Sequence, residues 1–378
     1  MQETEYRRGK PGEMPRIIDF INYVFSQAHV PHDFKRLLPK VYGDEAPKGQ
    51  EDFHFLALQD GQIVGCVALR PTTLFYGGEK LTCGFVGSVS VHPYHRGEGH
   101  MKRLMRDMLS YAREQQNYDM LILGGQRQRY EYFGFEKCGL LMRFDVSATN
   151  VRHALNDTDI TGLEICELTE DDVDFALELW RKRNVSSPRV RDTFMLDLRS
   201  WKNQPEIIRL DGERIGYRAG GELLLTDEKY LPQVVKKLLT RDGTDRISFV
   251  AGLDQKERIA FLKDIAEYSS LGPQEMVRVL NWGKTLKLFL EFKHRYVCPI
   301  EDGCADIDIA GEGEFRIQVT RGEANVSKLS SPSGNGIKLD LLSAEKAFFG
   351  VAEMMLGYEG IPRSWLGLPF YMSEQDGF

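Results

Sequence analysis

The stretch that most constrains this chain is Val89-Ser90-Val91-His92-Pro93-Tyr94-His95-Arg96-Gly97-Glu98-Gly99-His100-Met101-Lys102. It reads as a strand that ends in a glycine-rich turn, from which an amphipathic helix starts. From there Met101, Leu104, Met105, Met108, Leu109 and Ala112 recur at intervals of three and four, so a helix over 99–115 would bury one apolar stripe. The first turn of a helix leaves backbone N–H groups without intrahelical partners, and the helix dipole places partial positive charge there. Such a turn suits an anion the size of a pyrophosphate. Gly97 and Gly99 matter because a Cβ would hold phosphate oxygens away from the backbone.

The surrounding pattern predicts an α/β domain with a mixed sheet. An amphipathic helix is expected over 14–28, then a hairpin over 53–69 turning at Asp60-Gly61, where Gly supplies the positive φ that a tight turn needs. Strands are expected over 81–91, 119–124 and 140–146, with a short helix over 130–133 stopped by Gly134. Residues 150–159 read as a polar linker. A second hairpin over 206–225 repeats the first, with Asp211-Gly212 in the place of Asp60-Gly61, and helical segments flank it at 170–183 and 231–240. This is either a weak internal duplication or two independent Asp-Gly hairpins. A third region begins near Val277, with a helix over 286–291, strands over 304–309 and 315–320, and a helix over 341–356 that stops at Gly357. The expected domains are 1–149, 150–276 and 277–378.

Composition narrows the function classes. The formal net charge is −7 with no long basic run, which argues against nucleic acid as a partner. No apolar run reaches the roughly 18 residues of a membrane span, and the first residues are polar, so neither a membrane partner nor a signal peptide is expected, and the expected location is the cytoplasm. The six cysteines are scattered and read as small buried hydrophobes in a reducing compartment. With no C-x-x-C and no paired His, no metal site is expected.

The Val-x-Val-x-Pro-x-x-Arg-Gly-x-Gly segment resembles the acetyl-CoA signature of the GNAT superfamily of N-acetyltransferases, and within it the chain is similar to the enhanced intracellular survival (Eis) family. That resemblance implies a GNAT domain, a second degenerate GNAT-like domain and a C-terminal sterol-carrier-like α+β domain. It implies acetyl-CoA as co-substrate and a primary amine as acceptor: an aminoglycoside, a polyamine or a lysine. It also implies a homo-oligomer, by family a hexamer. The backbone of Val89, Ser90 and Val91 would pair with pantetheine. Arg96 and the loop Gly97, Glu98, Gly99, His100, Met101 and Lys102 would hold the pyrophosphate. Gly125 and Gln126 would line the thioester end. The sequence departs from the family pattern at Gly97, where a second Arg is usual, and at His100, where a branched aliphatic residue is usual.

A second segment, Arg129-Tyr130-Glu131-Tyr132-Phe133-Gly134-Phe135, resembles the family's Tyr-x-Arg-Phe-Gly-Tyr, with Tyr132 and Phe135 as substitutions. Tyr130 falls on the family's general acid. A phenol with a free pKa near 10 can hydrogen-bond a leaving thiolate and protonate it, and Tyr132 is the rival donor. In Eis-like enzymes the terminal carboxylate acts as base, which points to Phe378 here. An α-carboxylate titrates near 3.3–3.7, so direct proton abstraction would require a raised pKa or a relaying water, and Glu374 and Asp376 are further acids beside it. Cys83 and Cys138 carry no adjacent His or acid signature of a thiol nucleophile, so direct transfer through a ternary complex is expected. Two rival functions come from other classes: a lipid or sterol carrier, which would need a large apolar cavity in the third region, and a non-catalytic acyl-CoA sensor.

Overall fold

The computed structural model describes residues 3–27, 30–241 and 243–378. Its largest sheet begins with β1 (Thr4–Arg8), β2 (His54–Gln59), β3 (Gln62–Tyr76) and β4 (Glu79–Val91), each antiparallel to the next. β4 then runs parallel to β5 (Met120–Leu123). The next strand is not the next in sequence. Glu275–Val279 inserts antiparallel between β5 and β6 (Glu136–Cys138). In exchange, Leu141–Ser147 leaves this sheet and lies between Arg246–Gly252 and Tyr268–Gly272. Sheet pairing therefore crosses both expected boundaries, at 149/150 and at 276/277. Neighbouring Met276 and Val277 are both buried, as a strand covered on both faces requires.

α1 (Met14–Ser26) buries Ile17, Ile18, Ile21 and Val24; its expected last residue, Ala28, lies outside the described residues. Two short helical turns follow, α2 (Phe34–Leu37) and α3 (Pro39–Tyr42). α4 (His100–Ser110) continues as a wider turn over Tyr111–Gln115. It buries Leu104, Met105 and Met108 against the sheet, a side chain of that kind contributing about 1.5–3 kcal/mol when fully buried. Gly65 permits the close approach, since a Cβ there would lie 3.2 Å from Leu104 Cδ1.

The second half holds a four-stranded sheet in the order Glu222–Leu225, Glu213–Ala219, Glu206–Leu210, Leu163–Glu167. The segment expected as a linker contains a helix, Ala148–Ala154, capped reciprocally by Ser147 and Asn150. It buries only Val151, with Leu155 at its end, too few apolar residues to mark a helix in the sequence. The third region is a four-stranded sheet covered by Trp282–Phe292 and Leu341–Phe349. The helix expected over 341–356 is broken at Gly350 into two. Trp282, Phe289, Phe348, Phe349 and Trp365 fill this core. Cys66, Cys83 and Cys138 are buried as expected, whereas Cys166, Cys298 and Cys304 are exposed, because they sit at strand or loop positions facing solvent. Among the described residues no helix is long and apolar enough to cross a membrane.

Candidate active site

β4 and β5 pair only as far as Val86 and Leu123, while β4 runs on to Val91. Past that point Gly87 to Val91 has β3 on one side and no strand on the other, which leaves a wedge-shaped gap. Val89, Ser90 and Val91 all lie on this unpaired edge. β4 also carries one extra residue there: Ala68 faces Gly87 but Cys66 faces Ser90, and Ser88 adopts a φ of 49°. Such a bulge bends its strand and re-aims its backbone groups. It is held from behind. Burial drives the His54 imidazole down to about 4, so the ring is neutral. Its Nδ1–H donates to the carbonyls of Gln50 and Glu51 at 3.1 and 3.2 Å, leaving Nε2 to accept from the Tyr42 hydroxyl at 3.0 Å. That hydroxyl in turn accepts from Ser88 Oγ at 2.7 Å.

At the end of β4 the glycine turn is open. Gly97 and Gly99 both have φ of 86°, and a Cβ on either would meet nothing within 4 Å. Gly99 caps α4 and accepts the first helical bond from Arg103 N–H at 3.0 Å. The amides of His100, Met101 and Lys102 are thus left without intrahelical acceptors. Arg96 is exposed and makes no hydrogen bond or ion pair among the described residues. His100, expected in the loop that would hold the pyrophosphate, turns its ring inward. It is 3% exposed, with Nδ1 2.8 Å from Tyr6 Oη and Nε2 3.0 Å from Glu98 Oε2. Glu98 also accepts from Gln59 Nε2 at 3.1 Å, and this bond foremost holds its carboxyl below the usual range. The two side chains tie the turn to β1 and β2 and leave backbone amides to face an anion. His95, Glu98 and His100 bring their ligand atoms within 4.8 Å of one another, a metal-like grouping that sequence spacing did not pick out.

Beyond the wedge lies a cleft of about 520 Å³, lined by Phe85 to Val89, Leu123 to Gln126, Tyr130, Glu275 and Phe378. Gly125 and Gln126 are exposed in its wall. Tyr130 ends the short helix Arg127–Tyr130, and its ring would lie 3.1 Å from a Cβ on Gly125. Burial raises its pKa, and its hydroxyl has no hydrogen-bond partner among the described residues. Tyr132 faces outward instead. It is 60% exposed, under the Lys102 ammonium at 4.4 Å from the ring centroid, and accepts from Arg106 Nη2 at 3.2 Å. The structure therefore separates the two tyrosines, one in the cleft and one outside it.

Phe378 reaches the cleft because the last dozen residues thread between all three parts of the molecule. Tyr76 Oη donates to the carbonyl of Tyr371 at 2.7 Å, and Gln274 exchanges two hydrogen bonds with the backbone of Met372 at 2.8 and 2.9 Å. Asp376 accepts from Ser187 Oγ at 2.7 Å and Arg189 Nε at 2.9 Å, and Lys40 Nζ donates to the carbonyl of Gln375. The Phe378 ring then lies flat against Gly87, where a Cβ would sit 2.2 Å from Cδ1, and stacks on Tyr42 at 6.1 Å between centroids.

One residue of the cleft escaped the sequence reading. Glu275 belongs to the exchanged strand, and its Oε2 would be 3.1 Å from a Cβ on Gly124, at the exit of β5. Burial, with the nearby charge of Glu374 adding to it, pushes its carboxyl up to about 7. The run Met276-Val277-Arg278-Val279 signals a strand, but nothing in the sequence says which sheet receives it.

Residues 5–138 match the profile of a family described as Acetyltransferase (GNAT) domain. N-acetyltransferase family 8 member 2 of Rattus norvegicus is 36% identical over 90 residues, which is 22% of this chain and 39% of that protein, so the likeness spans about two fifths of the curated relative. Over the whole chain the fold is shared with a probable N-acyltransferase from Enterococcus faecalis V583, at a TM-score of 0.68 and 18% identity, covering 98% of this chain and 97% of that one. It is shared equally with Eis1 from Mycobacterium abscessus, at a TM-score of 0.66 and 13% identity, covering 99% and 100%. Residues 5–138 thus match a GNAT acetyltransferase domain, and the fold of the whole chain is shared with that of Eis1.

Proposed function

We propose that this chain transfers an acetyl group from acetyl-CoA directly to a primary amine. The observation that carries the proposal is the wedge between β4 and β5, which has unpaired strand edge on one side, an open amide cradle at one end and an unpartnered Tyr130 hydroxyl at the other. Pantetheine would pair with Val89, Ser90 and Val91, and the pyrophosphate would sit on the amides of His100, Met101 and Lys102, with Arg96 supplying charge. The thioester would then lie beside Gly125 and Gln126. As the amine attacks and the C–S bond breaks, Tyr130 would donate to the departing thiolate, a contribution of roughly 10²–10⁴ in rate. The Phe378 ring is seated at the cleft, and its carboxylate would serve as base or as counter-charge to the acceptor ammonium.

Direct transfer is favoured because no cysteine lines the cleft, and burial raises the thiols of Cys66 and Cys83 well above their usual pKa. The carboxyl groups of Glu275 and Glu374 in the cleft wall suit a cationic acceptor such as a polyamine, an aminoglycoside or a lysine. A hexamer, drawn from the family resemblance, and a cytoplasmic location, drawn from the apolar patterning of the sequence, are part of the same proposal. A lipid-carrier reading is disfavoured, since the pocket of about 960 Å³ on the third sheet is lined by charged residues such as Lys287, Glu291, Arg295 and Arg321. Thiol release from acetyl-CoA, measured with spermidine, lysine and an aminoglycoside, tests the proposal. Amine-dependent release is expected with at least one of them, and its absence with all three would refute it.

A further inference from the structure

The acceptor amine reaches the cleft as an ammonium ion, because a free amine titrates near 10. Something must take a proton before nitrogen can attack. The terminal carboxylate is a weak candidate on its ordinary pKa of about 3.3–3.7. We infer that Glu275, delivered to the exit of β5 by the exchanged strand, is the group that accepts this proton; the inference rests on the acetyl-transfer reading above.

The geometry is specific. Glu275 and Tyr130 bracket consecutive residues at the β5 exit, the carboxylate against Gly124 and the phenol ring against Gly125. The proton acceptor and the thiolate donor thus both line the cleft at the β5 exit. Gln274, next in the chain, is clamped to the Met372 backbone from both ends of its amide, which fixes the strand that presents Glu275. The Glu275 carboxylate itself makes no hydrogen bond or ion pair among the described residues, so its oxygens are free for an ammonium. A second cavity of about 150 Å³ shares Gln274, Glu275, Met372 and Glu374 with the cleft, so the same carboxylate borders a side entrance.

The charged groups around it are accounted for. Glu374 of the terminal segment raises its pKa, and Arg143 of the strand Leu141–Ser147 lowers it. Arg129 and Phe378 also line the cleft. On the side-entrance wall the anion Glu222 is paired with Arg189 at 2.8 Å, while of the other two cations there Arg258 is paired with Glu228 at 2.6 Å and Arg183 donates to Tyr371 Oη at 3.4 Å. Desolvation dominates, and a carboxylate near 7 is matched to a base that works at neutral pH.

The step balances. One of the three ammonium protons passes to Glu275 and then to water. The freed nitrogen pair attacks the thioester carbonyl, the C–S bond breaks, a second proton reaches the thiolate sulfur by way of Tyr130, and the third stays on the amide nitrogen.

The test is the pH profile of kcat for the full chain, using whichever of spermidine, lysine or an aminoglycoside the wild type acetylates. Wild-type kcat should fall below about pH 7. Glu275→Gln should lose roughly 10²-fold or more and lose that acidic limb, with acetyl-CoA affinity by calorimetry unchanged, and Glu275→Asp should recover part of the rate. Glu374→Gln should move the wild-type limb to lower pH. A Glu275→Gln enzyme with wild-type kcat and an unchanged acidic limb overturns the inference while the acetyl-transfer reading stands. A wild type that acetylates none of the three amines removes that reading, and this inference with it.

Discussion

The two Asp-Gly hairpins of this chain are the same piece of architecture put to different ends. In the first, Asp60 and Gly61 have φ of 47° and 73°; in the second, Asp211 and Gly212 have 51° and 84°. Both carry a bulge at the same place: Ala57 faces Gly65 and then Leu58 faces Ile63, just as Ile208 faces Gly216 and then Arg209 faces Arg214. A shared turn is common, but a shared turn with a shared bulge and a glycine four residues on is not expected of unrelated hairpins. The halves part company at the next strand. β4 outruns its partner and ends in an open glycine turn, whereas Glu222–Leu225 is short and enters its helix, Leu231–Leu239, without a glycine. There Asp227 accepts from Lys229 N–H at 2.9 Å and caps the short turn Glu228–Tyr230 that leads into the helix. Glu222, at the strand start, is buried in an ion pair with Arg189. The hairpin geometry recurs, and the difference lies in what fills the ends of its strands.

Four changes would break or sharpen that contrast. Gly99→Val should abolish acetyl-CoA binding, because its side chain would enter the cradle and the N-cap φ of 86° disfavours a branched residue. Calorimetry on a variant shown to be folded by circular dichroism checks it, and retained affinity would move the site elsewhere. Tyr130→Phe should lower kcat by roughly 10²–10⁴ with acetyl-CoA affinity kept, while Tyr132→Phe should leave kcat near wild type. The reverse order would mean that the outward tyrosine is the donor.

The third change reads Glu275 through stability. Its carboxyl titrates at about 7 in the fold against an ordinary value of 4.5, so the folded state binds the proton more tightly than the unfolded chain. Its charged form therefore opposes folding, not at all below about pH 4.5 and fully above about pH 7. Glu275→Gln should stabilise the protein by about 1–2 kcal/mol at pH 8, after discounting for partial exposure, and should add nothing of this kind at pH 4. Urea denaturation at the two pH values checks the sign; a gain independent of pH would contradict the desolvated carboxylate. The smallest effect is expected in the second half. Asp227→Ala should cost about 1 kcal/mol by loss of a helix cap and leave acetyl-CoA affinity untouched.

Much of the first half was legible because its signals are local. The Val89–Lys102 segment fixes a strand, a turn and a helix within fourteen residues, and the stripe from Leu104 to Met108 is buried as its spacing predicts. Tyr130 was found by motif and stands in the cleft. What escaped depends on long-range pairing. A strand was expected at 140–146 but none at Glu275–Val279, where a domain boundary was placed, and only tertiary structure decides which sheet receives each. Glu275 was hidden for that reason, and the inward turn of the His100 ring was hidden because its partner Tyr6 lies 94 residues away in sequence. The exposed cysteines show the same limit, since an apolar neighbourhood in sequence does not decide which side of a strand faces water.

The central claim is that only the first half seats an acyl-CoA, in the wedge past Val86 and Leu123. Calorimetric titration of the full chain with acetyl-CoA, run beside Gly99→Val and Asp227→Ala, tests it most directly. The account expects one molecule bound per chain, lost in the first variant and kept in the second; two sites per chain, or binding that survives Gly99→Val and fails in Asp227→Ala, would contradict it.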